Sequence, residues 1–548
     1  MKKALRFIPL GGTEGVNKNM YLYEYGDDIL VVDCGLGFPD QTMLGVERVL
    51  PDFSYLSDNV SKIRGIIITH GHEDHFGALP YLLSKLNVPV YSTRLVSGFI
   101  KNALGEFGIK DVHLHVFDPE KDTFSLGVFK ITPFRVNHSV PDSVGYILKT
   151  PVGKIFHISD FKFDWTPIND LPFDLSKVAK EASQGVLILL SDCLGVNNEG
   201  HTQSERTIKN TFRSLLSQAK GQVLITTISS NISRIQQAVD VSLETGRKIV
   251  FVGRSLRDKV SIAQRLGYLK IRREDVVRER KAKDFPQDRL TYLVAGSYGQ
   301  NDSALSRIAY GTHRSVGLQK RALVIFSADP APPGTKILVD ALVDQLIKEG
   351  ADVHYYDIQE NLHVSGHASR QDLALLINLV RPKFFIPLGG TLRHMRSYKG
   401  LVREIGQDSK KVFELPEGQV VEFFNNQARL GKKIKLRDVL ITGFGEIDQK
   451  VLAERRGLSQ RGMVVVSIVF SLGGRTEIEV ASLGFVLEKD YYDLSKKAKE
   501  AVREALALKR GNLKDFRLIK EEIRKRLENF FLKATGVKPI VLVILHRL

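Results

Sequence analysis

The chain contains very few cysteines and no long apolar run. Cys34 and Cys193 are its only two cysteines, and they lie far apart in the sequence. A scaffold held together by disulfides is therefore excluded, and a reducing cytoplasm is the expected location. No apolar run reaches the roughly 18 to 20 residues that span a bilayer, and the first residues lack the apolar core of a signal peptide. We therefore expect a cytoplasmic protein without a membrane-spanning segment.

Acidic residues are too few to balance the basic ones. The formal net charge is +17, and residues 431–548 hold 25 Lys and Arg against 15 Asp and Glu. A basic surface of this kind attracts polyanions such as RNA or DNA. A solvated basic face that merely keeps the protein in solution would have the same composition, so charge alone leaves both interpretations open.

The order of apolar segments predicts three kinds of structure along the chain. Up to about residue 200, short apolar strands alternate with turns, and polar residues follow the strands. From about 205 to 355, single apolar strands alternate with helical segments, which indicates an inserted doubly wound α/β domain. Sheet-rich character returns from 353 to about 430. A module of strands and amphipathic helices follows from about 450.

Four side chains that commonly bind metals lie within six residues: His70, His72, Asp74 and His75. They follow the predicted buried strand 64–69, so a loop at the strand end would aim them at one point. Imidazole and carboxylate groups suit Zn²⁺ and Mn²⁺. The alternative is a polar loop with surface histidines, but the density of ligand types favours a metal-dependent hydrolase.

Two further residues stand at the ends of predicted strands downstream of this loop. His138 follows one strand and Asp160 follows another. Either residue alone would be explained as structural. Together with the first cluster they become metal-ligand candidates, and the carboxylate of Asp160 would be able to bridge two ions.

Several motifs resemble the metallo-β-lactamase fold with a β-CASP insertion and, over nearly the whole chain, the ribonuclease J family. They occur in the family's order at Thr69–Gly77, His138, Ser159–Asp164, Pro9–Gly12, Phe38–Asp40, Leu50–Leu56, Ser230–Arg234 and His363–Ala368. The resemblance implies an α/β protein built on an αββα sandwich, with an inserted doubly wound β-CASP domain and a small α+β C-terminal domain.

The resemblance also implies an order of domains. The sandwich would occupy 1–205 and 355–435, and the insertion 206–354. A linker at 436–458 would lead to the C-terminal domain at 459–548.

The resemblance implies two divalent ions, Zn²⁺ or Mn²⁺, that activate water and neutralise charge at phosphorus. The implied ligands of the first ion are His70, His72, His138 and Asp160, and those of the second are Asp74, His75 and the shared Asp160. Three residues are implied to act in catalysis: Asp74, Glu205 and His367. Glu205 would orient a metal-ligand histidine, and His367 would stabilise the transition state or protonate the leaving oxygen.

One departure from the family concerns the second ion. The family's last ligand is a histidine in a Pro-x-His-Gly segment, but here Gly389 stands at that position, 22 residues after His367. His394 lies nearby, but it matches a separate family position. We therefore expect a weakly held second ion and reduced or altered nuclease activity. Ser233 and Tyr298 also differ from the family pattern, and either change would alter RNA contacts.

Two segments are implied to bind the 5′ monophosphate and the adjacent phosphates of RNA. They are Ser230, Asn231 and Ile232, and His363, Val364, Ser365, Gly366 and His367. From the residues alone, Ser230 and Asn231 are better explained as a helix N-cap.

A weaker hypothesis is a structural calcium ion. Gly45, Glu47 and Glu446 fall where some relatives bind calcium, although the relatives usually have aspartates there. Surface acids are the alternative.

Three functional hypotheses follow. The first is a cytoplasmic ribonuclease of the ribonuclease J type that acts in RNA maturation and decay. It would degrade 5′-monophosphorylated RNA from the 5′ end, with possible endonuclease activity. The second is a weakly active or non-catalytic RNA-binding homologue, because of Gly389. The third is a small-molecule ester hydrolase of the same fold. For the first, the family implies a homodimer or homotetramer assembled through the C-terminal module, with RNA as partner.

Overall fold

The computed structural model describes residues 3–328, 335–359, 361–470, 476–486, 488–507 and 516–547. The chain divides into two compact units. One comprises Met1–Asp40 and Arg48–Val439, and the other comprises Gln41–Glu47 and Leu440–Leu548. Among the described residues, no helix combines the length and the apolar character that a membrane span requires.

The described part of the larger unit contains both strands and helices along its whole length. Its strands are β1 (Leu5–Gly11), β2 (Met20–Tyr25), β3 (Asp28–Val32), β4 (Arg48–Leu50), β5 (Ile63–Ile67), β6 (Val90–Ser92), β7 (Leu114–Val116), β8 (Phe124–Leu126), β9 (Phe129–Arg135), β10 (Val144–Lys149), β11 (Lys154–Ile158), β12 (Ile188–Asp192), β13 (Val223–Thr226), β14 (Lys248–Val252), β15 (Leu290–Val294), β16 (Leu323–Phe326), β17 (Asp352–His354), β18 (Phe384–Leu388), β19 (Val421–Phe424) and β20 (Gln427–Leu430).

Its helices are distributed between the strands. They are α1 (Ser54–Asp58), α2 (Glu73–Phe76), α3 (Leu79–Leu83), α4 (Arg94–Glu106), α5 (Leu175–Ala182), α6 (Ile208–Gln218), α7 (Ile232–Glu244), α8 (Arg254–Leu266), α9 (Ala304–Ala309), α10 (Thr335–Lys348), α11 (Arg370–Val380) and α12 (Leu392–Glu404). Short 3-10 helices cover Val60–Lys62, Leu194–Asn197, Glu205–Thr207, Arg273–Asp275, Glu279–Asp284, Gln287–Arg289 and Ser409–Lys411.

Two sheets form a sandwich. One has eight strands in the order β20-β19-β1-β2-β3-β5-β6-β7, and the other has six in the order β18-β12-β11-β10-β9-β8. Apolar side chains such as Phe7, Tyr23 and Ile131 are completely buried in the core that the two sheets share. Helices α5, α11 and α12 contribute to a second core with the six-stranded sheet, and α4 packs beside β6 and β7. This is the predicted αββα arrangement.

The middle segment forms a separate parallel sheet, as its apolar runs predicted. Its strand order is β14-β15-β13-β16-β17, and the pairings are parallel. All four residues of β13 are buried, which is typical of a strand covered by helices on both faces. Since this sheet and the sandwich fall within one compact unit, the predicted domain boundaries stay predictions.

The smaller unit has its own core. Its elements are β21 (Val439–Thr442), β22 (Gly445–Ile447), α13 (Gln449–Arg461), β23 (Met463–Phe470), β24 (Thr476–Leu483), α14 (Glu488–Ala507), α15 (Phe516–Thr535) and β25 (Ile540–Arg547). Strand β23 lies between β24 and β25. Val464, Val466 and Ile468 alternate along β23 on the buried face, so the predicted strands and amphipathic helices of this module are confirmed.

Two partly buried carboxyl groups, those of Asp142 and Asp170, lie where the middle segment meets the sandwich. The hydroxyl of Tyr268, which follows α8, donates to Asp142 Oδ2 at 2.8 Å, and Leu95 N donates to the same oxygen at 2.9 Å. Asp170 is close enough to Asp142 to feel its charge. Burial and that charge raise the pKa of Asp170 to about 7.

This pKa predicts a pH-dependent stability that Asp170→Asn removes. An aspartate titrates near 3.9 in an unfolded chain, so the protonated carboxyl favours folding and that contribution is lost as the pH rises from about 4 to about 7. The free energy of unfolding of Asp170→Asn should therefore rise relative to that of the wild type between pH 5 and pH 8. We expect a relative increase of about 1–2 kcal/mol, because some solvent screening remains. Urea unfolding at both pH values measures the difference. The exposed substitution Asp284→Asn is the control, and parallel pH profiles for wild type and Asp170→Asn would contradict the prediction.

Candidate metal centre

The ligand-rich loop lies at the carboxyl end of β5, where the sequence predicted it. His72 occupies the N-cap position of α2, so Asp74 and His75 belong to its first turn. The loop turns tightly against an aromatic ring, because a Cβ added to Gly71 would lie 2.8 Å from Phe99. A glycine is required for this close approach.

The carboxylate of Asp160 is the centre of the cluster. Its Oδ2 lies 3.7 Å from His70 Nε2, 3.4 Å from His75 Nε2 and 3.7 Å from His138 Nε2. Asp160 follows β11 and His138 follows β9, both in the six-stranded sheet, and they meet the loop that follows β5 of the eight-stranded sheet. Among the described residues, ligand atoms within 4.8 Å of one another form three groups: His70, His72, His138 and Asp160; Asp74, His75 and Asp160; and Asp160, Asp192 and His367. The structure thus brings together the two predicted ligand sets.

Hydrogen bonds orient the imidazoles. His138 Nδ1 donates to Gly366 O at 2.8 Å, and His75 Nδ1 donates to Asp33 Oδ2 at 2.8 Å, which leaves each Nε2 directed at Asp160. His70 Nε2 is buried and has no hydrogen-bond partner among the described residues. A buried nitrogen without a partner is costly, and a cation would satisfy it. These donors fit Zn²⁺ or Mn²⁺.

Burial and charge divide the cluster electrostatically. Burial lowers the pKa of His138 to about 3 and holds that of His70 well below its usual value, so both are neutral ligands. Burial acts on His75 in the same direction, but the carboxylates of Asp160, Asp74 and Asp33 outweigh it and raise the pKa of His75. The same carboxylates would attract a second cation.

His367 joins the cluster through a partner that the sequence analysis missed. His367 Nδ1 lies 2.7 Å from Asp192 Oδ2, and its Nε2 lies 4.0 Å from Asp160 Oδ2. Burial opposes protonation of His367, but these two carboxylates raise its pKa to about 9. A protonated imidazole at this position is suited to the predicted role in proton donation. Asp192 ends β12, so the strand-end argument that singled out Asp160 would also have found it.

Two more residues of the centre were missed. Asp33, which directly follows β3, has a φ of 63° and accepts a hydrogen bond from Thr69 N at 2.8 Å in addition to that from His75. Asn19 Nδ2 lies 3.0 Å from His75 Nε2 and donates to the backbone carbonyl of Asp74 at 3.1 Å. Asp33 was detectable as a strand-end carboxylate, whereas the sequence gives no signal for Asn19.

Gly389 borders the cluster. A Cβ added to it would lie 3.4 Å from Asp192 Oδ1 and 3.7 Å from Asp160 Oδ1, so a side chain here would enter the site. His394 is engaged elsewhere, because its Nδ1 accepts a hydrogen bond from Thr391 N at 3.2 Å in the N-terminal cap of α12. The group of Asp74, His75 and Asp160 therefore receives no ligand from either position.

The predicted orienting role of Glu205 gains no support, because Glu205 contacts no metal-site histidine among the described residues. Its carboxylate forms a bidentate ion pair with Arg234, with both N–O distances at 2.9 Å, and its Oε1 lies 3.8 Å from Lys162 Nζ. The metal-site imidazoles are oriented by Asp33 and Gly366 instead. Glu205 follows strand β12 of the sandwich along the chain, and Arg234 lies on α7 of the insertion, so the pair joins the sandwich to the insertion.

The two predicted phosphate-binding segments lie close together. Arg234, completely buried, donates to Leu362 O at 3.3 Å and to Val364 O at 3.4 Å. Its own backbone N donates to Asn231 Oδ1 at 2.9 Å, which makes Asn231 the N-cap of α7, as the residues alone indicated. The cap does not exclude phosphate binding, which stays a prediction.

The other members of these segments have varied surroundings. Ile232, Val364 and Ser230 are buried. Ser365 Oγ accepts a hydrogen bond from His367 N at 3.1 Å. His363 Nδ1 is buried without a hydrogen-bond partner among the described residues, and burial, followed by the charges of Arg234 and Lys162, lowers its pKa.

Gly366 and Ser233 both make close contacts within the structure. Gly366 permits close backbone approach, because an added Cβ would lie 2.6 Å from His138 Cε1, although the approach is to a histidine. Ser233, where the family usually has histidine, donates its hydroxyl to Ile168 O at 3.2 Å.

The calcium hypothesis gains no support. Arg455 Nη1 would lie 2.8 Å from a Cβ added to Gly45 and donates to Leu44 O, so a cation already occupies this neighbourhood. Within the described residues, the three groups able to hold a metal do not include Glu47 or Glu446. The calcium site stays a prediction.

Family models match three stretches of the chain. They are the metallo-β-lactamase superfamily at 13–209, the ribonuclease J β-CASP domain at 220–346 and the ribonuclease J C-terminal domain at 450–548. The chain belongs to the ribonuclease J family. The predicted family and fold class are therefore confirmed.

Known ribonucleases J resemble the chain over almost its whole length. Ribonuclease J2 of Bacillus subtilis is 34% identical over 99% of this chain and 98% of that protein. Ribonuclease J 1 of Streptococcus pyogenes is 32% identical over 97% of this chain and 96% of that protein. Ribonuclease J of Thermus thermophilus is 34% identical over 98% of this chain and 95% of that protein.

A solved structure shares the fold. A protein of unknown function from Enterococcus faecalis V583 aligns with a TM-score of 0.53 and 14% identity over 77% of this chain and 100% of that one. At this identity the likeness concerns the fold alone.

The geometry around position 389 predicts that Gly389→His strengthens the second metal site. We expect the wild type to retain about one ion per chain after dialysis and Gly389→His to retain nearer two, because an imidazole there would enter the site beside Asp160. Elemental analysis of the dialysed full-length chains measures this. The φ of 65° strains any side chain at this position, so Gly389→Leu is the matched control that adds strain without a ligand. Two tightly held ions in the wild type would contradict the prediction.

Proposed function

We propose that this chain is a metal-dependent ribonuclease of the ribonuclease J type. The observation that carries the proposal is the convergence of four imidazole Nε2 atoms within 4.0 Å of Asp160 Oδ2. The predicted metals, Zn²⁺ or Mn²⁺, fit these donors. When bound, such ions lower the pKa of water and offset negative charge at phosphorus.

The protein groups divide the remaining tasks. Asp160 lies between the two ligand groups, and its pKa is held well below the usual value because His75 and His367 outweigh the effect of burial. His367, held by Asp192, would donate a proton to the leaving oxygen of the cleaved phosphodiester. Asp74 would act as a ligand of the second ion. Neutral His70 and His138 would complete the first set.

We propose a 5′-monophosphorylated RNA as the preferred substrate, degraded from its 5′ end. The supporting observation is that Arg234 joins the N-terminus of α7 to the segment 362–367, which ends at His367. Ser230, Ser365 and nearby backbone groups would provide hydrogen bonds for a terminal phosphate. The relatives are named ribonucleases, and the net charge of +17 suits a polyanion.

Gly389 favours one alternative, a weakly active RNA-binding homologue. Its position beside Asp160 and Asp192 leaves the second ligand group without a histidine from this segment. A small-molecule ester hydrolase is less well supported, because the family match extends over the insertion and the C-terminal module.

Cleavage assays with RNA test the proposal. With Mn²⁺ or Zn²⁺, we expect 5′-monophosphorylated RNA to be degraded faster than 5′-triphosphorylated RNA. Asp160→Asn should lower the rate more than about 100-fold, because it removes the carboxylate shared by both ligand groups. Asp284→Asn, on the exposed surface, should leave the rate unchanged.

The outcomes separate the alternatives. Binding of RNA without cleavage by the wild type would indicate the non-catalytic homologue. If the wild type neither binds nor cleaves RNA, this result would contradict a ribonuclease and favour a small-molecule ester hydrolase. Undiminished cleavage by Asp160→Asn would contradict the role of the metal centre.

We further propose that the chain is a cytoplasmic homodimer or homotetramer assembled through its C-terminal module. Ala481, Val465 and Leu542 form a row across the sheet on the face opposite its buried core, and Leu542 is 49% exposed. Apolar rows of this kind mark interaction surfaces. The two cysteines are buried and unpaired, which suits a reducing compartment.

Leu542→Glu tests the assembly. Light scattering should give a multiple of the 61.5 kDa chain mass for the wild type and the single-chain mass for the variant, because a charge would be placed in the apolar row. Leu430→Glu, at a 60% exposed position of the larger unit, is the control. A monomeric wild type, or a variant of unchanged mass, would contradict this assignment.

A further inference from the structure

A second cavity lies among residues that the metal centre does not use. It has a volume of about 290 Å³, and its walls include Phe163, Trp165, His201, Thr202, Ser204 and Leu375. The first two follow Asp160 along the chain, the next three precede α6, and Leu375 lies on α11. Ligand pockets usually occupy roughly 300–1,000 Å³, so this cavity suits one small group.

One wall is an unusual aromatic surface. Trp165 is the single tryptophan of the chain and is 57% exposed. Its ring stacks on Phe163 at 5.9 Å with an interplanar angle of 3°, and Phe163 is itself buried in the core of the six-stranded sheet. Leu375 is 40% exposed beside the same cavity. The indole is therefore held by the core while its outer face remains open.

The lining of the cavity also includes an oriented imidazole. Asp372, 1% exposed, lies 2.7 Å from His201 Nδ1 and accepts a hydrogen bond from Thr202 N at 2.8 Å. Because Nδ1 is bound to this carboxylate, His201 Nε2 is the ring nitrogen that can meet a ligand. Thr166 and Ser204 hydroxyls lie 2.9 Å apart and add hydrogen-bonding groups to the lining.

Resting on the proposed ribonuclease function, we propose that this cavity binds a nucleobase. The base would stack on Trp165, and its polar edge would meet His201 Nε2. A flat aromatic platform with a few fixed polar groups suits a nucleobase, because every base has a π-face that stacks on an indole. The polar edge of a base would give His201 Nε2 a hydrogen-bond partner, which an aliphatic ligand would not.

The cavity is tied to the catalytic segment. Thr202 Oγ1 donates to the backbone carbonyl of His367 at 2.7 Å, and Ser204 caps the 3-10 helix that begins at Glu205. A bound base would therefore sit at a fixed position relative to the metal centre. The base would come either from single-stranded RNA or from a free mononucleotide, since both present the same chemistry.

The single tryptophan provides a direct measurement. The full-length Asp160→Asn chain, which avoids cleavage, is titrated with AMP, with a five-nucleotide oligoadenylate and with ribose 5-phosphate while Trp165 fluorescence is recorded. We expect saturable quenching by AMP, by the oligonucleotide or by both, and none by ribose 5-phosphate. Tighter binding of the oligonucleotide would assign the base to RNA, and quenching by AMP alone would assign it to a free nucleotide. Absence of quenching by both, or equal quenching by ribose 5-phosphate, would overturn the proposal.

Variants test the two walls separately. His201→Ala retains the fluorophore and should weaken binding of the quenching probe about 10-fold. Trp165→Ala should weaken it by about 10- to 100-fold in calorimetry, and Trp165→Phe should restore most of the loss. Tyr310→Ala is the matched control, because Tyr310 is also 57% exposed and lies outside the cavity lining. Unchanged binding by Trp165→Ala would overturn the proposal.

The two proposals fail in distinguishable ways. If the wild type cleaves RNA while Trp165 fluorescence does not respond, the nucleobase cavity is wrong and the ribonuclease stands. If AMP quenches Trp165 fluorescence without RNA and the wild type does not cleave RNA, the cavity stands and the proposed function fails.

Discussion

The carboxylate of Asp160 is the interaction on which the site depends. Four histidine Nε2 atoms surround its Oδ2, at distances from 3.4 to 4.0 Å. A buried charge of this kind is tolerated only when it is paired or bound to a metal. The histidines come from the segments that follow β5 and β9 of the sandwich and β17 of the insertion, so the cluster exists only where these separate segments converge.

A second buried charge keeps these loops in register with the insertion. Arg234 pairs with Glu205 and donates to the backbone of the segment that leads to His367. Breaking such a pair leaves a buried charge without its partner, at a cost of about 3–5 kcal/mol. The same segment contacts Thr202 in the wall of the aromatic cavity. The insertion, the metal centre and the cavity are thus linked through one stretch of backbone.

The two ligand groups depend on different physical effects. His70 and His138 are neutral because burial lowers their pKa, so the first group relies on the number of imidazoles. Three carboxylates surround His75, so the second group relies on negative charge. Gly389 contributes no ligand to the second group, so a cation there would be attracted mainly by negative charge.

The sequence by itself determined the local elements and the types of ligand. Apolar strands followed by His70, His138 and Asp160 were enough to predict a metal centre, because ligand-type side chains repeatedly stood on loops at strand ends. The motif order was enough to predict the family and its fold. It also marked Gly389 as a departure from the family pattern, in which a histidine is expected.

Only the tertiary structure decided which distant side chains become partners. His367 and Asp192, which lie side by side in the site, are 175 residues apart in the sequence. Glu205, for which a histidine partner was predicted, pairs with Arg234 on the insertion. The exposed platform of Trp165 likewise depends on the burial of Phe163 beneath it. Periodicity and motifs describe neighbours along the chain, whereas these pairs form only after two sheets and an insertion have packed together.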